Sequence, residues 1–204
     1  TALSPKELTF EQFLDRCPTE GRYELVDGEI VRILATRKHD TVAELIADLF
    51  KAEAKRLNLN VWVSGRVTLA TVSSSGRQQG RNPDVSVVDR AIWDAASTAY
   101  SALAEPSQVA VEVVSTNWED DYDDYDDYID KLDEYQRLGI SEYWIVDYLA
   151  IGSRDLGNPK QPAVFVHQLD PTGRYQASRF QGTKRILSAM FPELELAVEQ
   201  SLAA

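Results

Sequence analysis

Residues 109–115, with the sequence VAVEVVS, constrain the fold of this chain more than any other segment. Five of the seven side chains are apolar, and four of those five are valine, a β-branched residue that favours strands over helices. A nearly continuous apolar run of this length is typical of a central strand that is covered on both faces. The segment therefore predicts a sheet with packed layers on each side, as in α/β proteins.

The other segments predict the order of elements around this strand. Cap residues and apolar side chains at helical spacing predict three helices, over residues 8–16, 40–57 and 120–138. Runs of β-branched and aromatic residues predict three more strands, at 61–72, 83–89 and 142–148, and the polar sequence SSSGRQQGRN predicts a loop between the first two. Gly139 follows the last helix at the position where a left-handed residue ends it.

Two hairpins flank these elements. Asp27-Gly28 predicts a type I′ turn between strands at 22–26 and 29–34. The sequence DPTG predicts a second hairpin between AVFVHQL and RYQASRF. Together they predict a single α/β domain over 1–204, with a mixed sheet and a helix–strand–strand–strand–helix–strand core at about 40–148.

The amino-acid composition indicates in which cellular compartment the protein is found and which classes of partner it can bind. No run approaches the ~18 apolar residues of a membrane-spanning helix, and no secretory signal pattern is visible. A single cysteine excludes an internal disulfide and favours a cytoplasmic protein. The net charge of −12 argues against non-specific nucleic-acid binding, but residues 51–81 carry six basic residues against Glu53 alone.

Glu112 is a carboxylate inside the predicted buried strand. Strand alternation places it on one face with Ala110, and Val111 on the other. A buried, ionised carboxylate is unfavourable by several kcal/mol unless a metal ion, a cation or a proton compensates it. The sequence leaves open whether Glu112 belongs to a functional site or to a structural salt bridge.

Asp84 and Lys131 are the candidate partners of Glu112. Asp84 follows Pro83 at the start of a strand. Lys131 lies within the apolar stripe of the third helix, whose opposite side is covered by acidic residues. The alternatives are a plain turn at Asp84 and a lysine whose amine reaches solvent past the stripe. Two carboxylates and an amine on adjacent elements are typical of metal-dependent hydrolysis.

These residues resemble the motif of the PD-(D/E)XK nuclease superfamily, which implies a restriction-endonuclease-like fold. The segments YELVDGEIV, RNPDVSVVD, VEVVSTNW and KLDEYQRLGISEYWIVDY, with GNPKQP and FPELEL, are more specifically similar to the Uma family, restriction-endonuclease-like proteins abundant in cyanobacteria. The resemblance covers nearly the whole chain. It implies that Asp84 and Glu112 are the two acids of the motif. The superfamily lysine normally follows the second acid by two residues, where this chain has Val114, so the resemblance assigns that role to Lys131 on the next helix.

The resemblance also extends to residues around these three. Glu24 matches a family acid and is a further candidate metal ligand, with an exposed strand glutamate as the alternative. His39 matches a family histidine and is a candidate substrate contact. Tyr135, one turn after Lys131, could position the lysine. The acidic run at 119–127, which contains most of the DDY repeat, departs from the family, and we interpret it as a solvated helix start.

The leading hypothesis is therefore a Mg²⁺-dependent DNA endonuclease in which Mn²⁺ can substitute. Asp84, Glu112 and the Val113 carbonyl would bind the metal and Lys131 would activate or position the water. Arg77 and Arg81, in the predicted loop before Asp84, would contact the phosphates of duplex DNA. Many such nucleases pair, so a homodimer is expected from the resemblance. The alternative hypothesis is a catalytically inactive nucleic-acid-binding or scaffold protein with the same fold.

Overall fold

A computed structural model of the protein describes residues 7–96, 99–115, 124–150 and 161–203. The helices are α1 (Phe10–Arg16), α2 (Arg37–Arg56), α3 (Arg90–Asp94), α4 (Asp124–Leu138) and α5 (Val198–Ala203). The strands are β1 (Arg22–Val26), β2 (Glu29–Ile33), β3 (Val61–Ser64), β4 (Thr68–Val72), β5 (Gln78–Arg81), β6 (Val85–Asp89), β7 (Ala102–Leu103), β8 (Val109–Val113), β9 (Glu142–Asp147), β10 (Ala163–Leu169) and β11 (Tyr175–Phe180).

The strands form two sheets. The small sheet has the order β2-β1-β5-β4-β7, and the large sheet has the order β11-β10-β9-β8-β6-β3. Each sheet contains one parallel pair, β4 with β7 and β8 with β9, among antiparallel neighbours. The prediction of an α/β fold with mixed sheets is therefore confirmed.

The large sheet contains the predicted core. Its strands and the two long helices follow one another as α2, β3, β6, β8, α4 and β9, which is the predicted helix–strand–strand–strand–helix–strand order. The N-terminal hairpin is β1–β2, with φ of 49° at Asp27 and 88° at Gly28, and the C-terminal hairpin is β10–β11. Positive φ at both turn residues is what the type I′ turn requires.

The region 61–81 differs from the prediction. The expected single strand at 61–72 divides at Gly65 into β3 in the large sheet and β4 in the small sheet. A Cβ atom at Gly65 would lie 2.6 Å from the carbonyl oxygen of Asp84, so glycine permits this close approach of two backbones. The expected loop contains β5, whose polar sequence concealed a strand because Gln79 and Arg81 are buried through polar contacts.

The helices cover opposite faces of the large sheet. Val42, Ile46 and Phe50 of α2 are buried in the apolar cluster that also contains Val111 of β8. Tyr135 of α4 belongs to a second cluster, with Ala110 from the other face of β8. Each face of β8 is thus covered, as the sequence predicted. No helix in the described ranges is long and apolar enough to span a bilayer.

Candidate active site

Asp84 and Glu112 lie next to the last residue pair of β6 and β8, where the chain passes from the small sheet to the large sheet. Asp84 is in the short link between β5 and β6. Val85 pairs with Val111, so Asp84 directly precedes this pair in the chain and Glu112 directly follows it on β8. The amide of Val113 donates to Asp84 Oδ2 over 2.8 Å. Both carboxylates are buried, and buried ionised carboxylates are unfavourable unless compensating groups lie beside them.

Two basic side chains compensate Asp84. His39, in the first turn of α2, has its Nε2 atom 3.1 Å from Asp84 Oδ2, and Arg22 Nη1 donates to Asp84 Oδ1 over 2.9 Å. Burial alone would raise the pKa of Asp84, but the hydrogen bond and charge of His39, with Arg22, lower it below its ordinary value. Burial alone would lower the pKa of His39, and its contacts with Asp84 and Asp40 raise it above its ordinary value. These shifts favour an ionised Asp84 beside a protonated imidazole.

Glu112 receives two side chains from α4. Lys131 Nζ lies 3.2 Å from Glu112 Oε2, and the Tyr135 hydroxyl donates to Oε1 over 2.8 Å. Residues four apart share one helix face, so α4 presents both groups to the same carboxylate. Burial and the charges of Glu112 and Glu24 raise the pKa of Tyr135 well above its ordinary value, which keeps its hydroxyl a proton donor. The sequence prediction that Lys131 points inward toward Glu112 is confirmed.

Lys131 also connects the two sheets. Its Nζ atom is 3.2 Å from Glu24 Oε1 on β1, as well as from Glu112 on β8. The ammonium also lies 5.9 Å from the ring centroid of Tyr128. Only 5% of Lys131 is exposed, which excludes the alternative of a lysine whose amine reaches solvent. The amine is therefore fixed between carboxylates that belong to different sheets.

A second buried ion pair lies behind Glu24. Arg81, opposite Glu24 in the continued β1–β5 register, donates to Glu24 Oε2 over 3.4 Å. Its Nε and Nη2 atoms donate to the two carboxylate oxygens of Glu134 on α4 over 2.8 and 2.7 Å. The Thr71 hydroxyl donates to Glu134 Oε2 over 2.6 Å. We call Glu24, Arg81, Lys131 and Glu134, with Arg22, His39, Asp84, Glu112 and Tyr135, the polar cluster.

The donor chemistry of the polar cluster fits a hard divalent cation at Asp84 and Glu112. Carboxylate and carbonyl oxygens are the ligands of Mg²⁺, and one or two carboxylates suffice because the ion retains several waters. Within the described residues, no group of three or more His, Cys, Asp or Glu side chains is arranged to bind a metal. Glu24, the predicted further ligand, has oxygens that contact Lys131, Arg81 and the amide of Asn82, and its role as a ligand stays a prediction.

Of the two predicted phosphate contacts, only Arg81 belongs to the polar cluster, and its surroundings differ from those expected. Arg81 is a buried residue of β5, not an exposed loop residue, so that prediction is wrong: its guanidinium is enclosed by Glu24 and Glu134. Arg77 lies in the β4–β5 turn and forms ion pairs with Glu7 and Asp27, away from Asp84. The basic run at 51–81 is thus close in sequence but does not gather at the site.

Sequence reasoning missed Arg22 and Glu134. Arg22 is two residues before Glu24, so strand alternation places both on one face, and Glu134 is three residues after Lys131 on the same helix face. These spacings could have identified both residues once Glu24 and Lys131 were candidates. The motif residues at 116–118, the acidic residues at 119–123 and most of GNPKQP lie outside the described residues.

Comparisons with known proteins identify the fold and the family. A crystal structure at 1.96 Å of a "putative nuclease belonging to DUF820" from Anabaena variabilis ATCC 29413 matches with a TM-score of 0.70 and 13% identity, over 96% of this chain and 98% of that one. No curated protein matches the sequence. The model of the Uma2 family, described as "Putative restriction endonuclease", matches residues 10–199. The chain therefore belongs to the Uma2 family, which confirms the family predicted from its motifs.

Proposed function

We propose that the protein is a metal-dependent endonuclease that hydrolyses DNA phosphodiester bonds. The observation that carries this proposal is the placement of two buried carboxylates, Asp84 and Glu112, beside Arg22, with the Lys131 amine 3.2 Å from Glu112. Buried charges are unfavourable unless they are compensated, and clusters of them are typical of functional sites. The nuclease descriptions of the family and of the similar structure support the same reaction class.

In this proposal Asp84, Glu112 and the Val113 carbonyl bind Mg²⁺, and Mn²⁺ can substitute. The ion, when bound, supplies a nucleophile at neutral pH and neutralises charge on the phosphoryl oxygens. The low pKa of Asp84 favours this role, since the carboxylate stays ionised. The Val113 backbone is fixed near Asp84 by the hydrogen bond from its amide, so its carbonyl is a ligand of defined position.

Lys131 orients the attacking water and stabilises the charge that develops at phosphorus. Its ammonium is held by Glu24 and Glu112, and a fixed charge in a buried site needs little reorganisation during the reaction. Water attacks phosphorus and gives up one proton to solvent, the phosphorus–oxygen bond to the leaving strand breaks, and the leaving oxygen takes a proton from solvent. Tyr135 keeps Glu112 in place through its 2.8 Å hydrogen bond.

Substrate contact falls to Arg22 and His39. Arg22 has 28% of its side chain exposed, against 7% for Lys131, so it is the cation of the polar cluster that a phosphate reaches most easily. The His39 imidazole contacts the same carboxylate as Arg22, with its Nε2 atom 3.1 Å from Asp84 Oδ2. Duplex DNA as substrate, a homodimer that cuts both strands and a cytoplasmic location complete the proposal.

Nicking of supercoiled plasmid in Mg²⁺ or Mn²⁺ tests the proposed function. Wild-type protein should nick the plasmid, chelation should stop the reaction, and Lys131→Met should lower the rate by about 10²-fold or more, the scale for removing a charge aimed at the reacting atoms. Lys51→Met is the matched control, because Lys51 is an exposed lysine paired with Asp48 on α2. Absence of nicking by wild-type protein with either metal would contradict the proposal.

The second candidate is a nuclease-fold binding or scaffold protein without turnover. It is favoured by the pairing of each carboxylate with a cation, since a structural ion-pair network needs no metal. Calorimetry separates the two candidates. The endonuclease should bind Mn²⁺ and lose that binding in Asp84→Asn, whereas a purely structural network should bind no Mn²⁺ and only lose stability in the same variant.

A further inference from the structure

Glu24 is shared between two cations that compete for it. Its Oε1 atom lies 3.2 Å from Lys131 Nζ and accepts the Asn82 amide over 2.9 Å, and its Oε2 atom accepts Arg81 Nη1 over 3.4 Å. The contact with Arg81 is longer than the 2.7–2.9 Å typical of charge-assisted hydrogen bonds. Glu24 therefore interacts weakly with the guanidinium, although the two side chains are buried side by side.

Glu134 accounts for that weak contact. It accepts two short hydrogen bonds from Arg81, of 2.8 and 2.7 Å, in the side-by-side geometry that a guanidinium and a carboxylate prefer. The Thr71 hydroxyl fixes the same carboxylate over 2.6 Å. The strong partner of Arg81 is thus on α4, three residues from Lys131, and not on β1.

We propose that Glu134 and Arg81 are positioning residues for Lys131. Glu134 binds Arg81 strongly, so Glu24 remains available to hold the Lys131 ammonium against Glu112. The inference rests on the proposed function, because Lys131 is the amine that acts on the substrate. It gives Arg81 a role that differs from the phosphate contact expected from the sequence.

Removal of the Glu134 charge has a defined consequence. Arg81 remains charged and buried, and Glu24 Oε2, 3.4 Å from its Nη1 atom, is a carboxylate that it can approach. The guanidinium then moves closer to Glu24, and the Glu24–Lys131 contact lengthens. A displacement of about 1 Å at a reacting group can lower a rate by about 10²-fold.

The variant Glu134→Gln tests this inference by its kinetics. We expect kcat for plasmid nicking to fall by roughly 10- to 100-fold, with KM and the Mn²⁺ dissociation constant unchanged within about twofold, because neither DNA nor the metal contacts Glu134. Glu142→Gln is the matched control. Glu142 is an equally buried carboxylate on β9 that bonds Trp144 and Ser188, outside the polar cluster, so the control should keep kcat per folded molecule.

A crystal structure of Glu134→Gln provides a readout that does not depend on activity. The distance between Lys131 Nζ and Glu24 Oε1 should increase from 3.2 Å to beyond about 4 Å, the limit of an ion pair. An unchanged distance, or a loss of kcat equal to that of Glu142→Gln, would overturn the positioning role. Inactive wild-type protein would instead refute the proposed function, and the distance would still decide the inference.

Discussion

Glu112 and Glu142 are two buried glutamates on neighbouring parallel strands, and their partners differ in kind. Glu142 on β9 is 1% exposed and accepts hydrogen bonds from neutral donors, the Trp144 indole, the Ser188 hydroxyl and the Ala189 amide. Glu112 on β8 is 5% exposed and contacts the Lys131 ammonium and the Tyr135 hydroxyl. The comparison teaches that two buried carboxylates can differ in the charge of their partners, and the proposed function assigns chemistry only to Glu112, which is paired with a cation.

The two glutamates also differ in what lies beyond their first contacts. The donors to Glu142 belong to its own strand and to the C-terminal segment, so this carboxylate attaches that segment to the sheet. Glu112 contacts Lys131, which also contacts Glu24 on the other sheet, and the residue after Glu112, Val113, donates its amide hydrogen to Asp84. A buried ion pair is weak evidence for stability, because desolvation offsets most of its attraction. The proposed function therefore assigns the cluster around Glu112 to chemistry, whereas the second candidate assigns it to structure.

The largest expected effect is on activity, in Glu112→Gln. The amide keeps the shape of the side chain but removes the charge that would bind the metal and fix Lys131. We expect nicking to fall by about 10²-fold or more, as for the loss of a group aimed at the reacting atoms. The plasmid assay measures the rate, with circular dichroism to establish that the variant is folded. Activity close to wild type would remove the distinction between the two glutamates.

The next effect is on stability, in Glu142→Gln. The amide nitrogen of glutamine is a donor, so one of the donors that now meets this carboxylate loses its acceptor. We expect the free energy of unfolding to fall by about 1–3 kcal/mol, the penalty of a buried group left unsatisfied. Urea denaturation measures the change. A loss of nicking per folded molecule in this variant would show that Glu142 also serves the site.

The smallest effect is the pH dependence of stability, in His167→Phe. His167 lies on β10 opposite Tyr143, outside the polar cluster, and burial lowers its pKa below the ordinary value of 6.5. The unfolded chain therefore takes up a proton first as the pH falls below about 6.5, and the free energy of unfolding decreases until the lowered pKa is passed. Above about pH 6.5, His167 is neutral in the folded and the unfolded state and contributes no pH dependence.

Urea denaturation at about pH 7.5 and about pH 5.5 checks this expectation. The decrease in the free energy of unfolding between the two conditions should be smaller in His167→Phe than in wild type. His39 is present in both proteins, so its opposite pKa shift cancels in the comparison. Equal decreases in the two proteins would show that His167 is not held neutral by burial.

Local patterns made part of this structure predictable. Alternation in VAVEVVS identified Glu112 as a buried carboxylate, and helical periodicity placed Lys131 on the inward face of α4. Asp27-Gly28 and Gly139 ended their elements as expected, because positive φ is a local requirement. These predictions succeeded where the signal lies within a few residues.

The unpredicted parts depend on contacts between distant residues. Arg22 meets Asp84 across 62 residues, and Arg81 meets Glu134 across 53, so no local spacing reveals either ion pair. β5 was missed because its buried side chains are polar, and strand prediction relies on apolar residues. The basic run at 51–81 was misleading because residues that are close in sequence need not lie on one surface, and Arg77 and Arg81 have different partners.

A crystal structure of the protein soaked in Mn²⁺, with anomalous diffraction to locate the ion, tests the central claim most directly. We expect one ion with carboxylate oxygens of both Asp84 and Glu112 within about 2.0–2.6 Å, the range for hard cations and oxygen ligands. A polar cluster without bound Mn²⁺, in which Lys131 and Arg22 still neutralise the two carboxylates, would contradict the account.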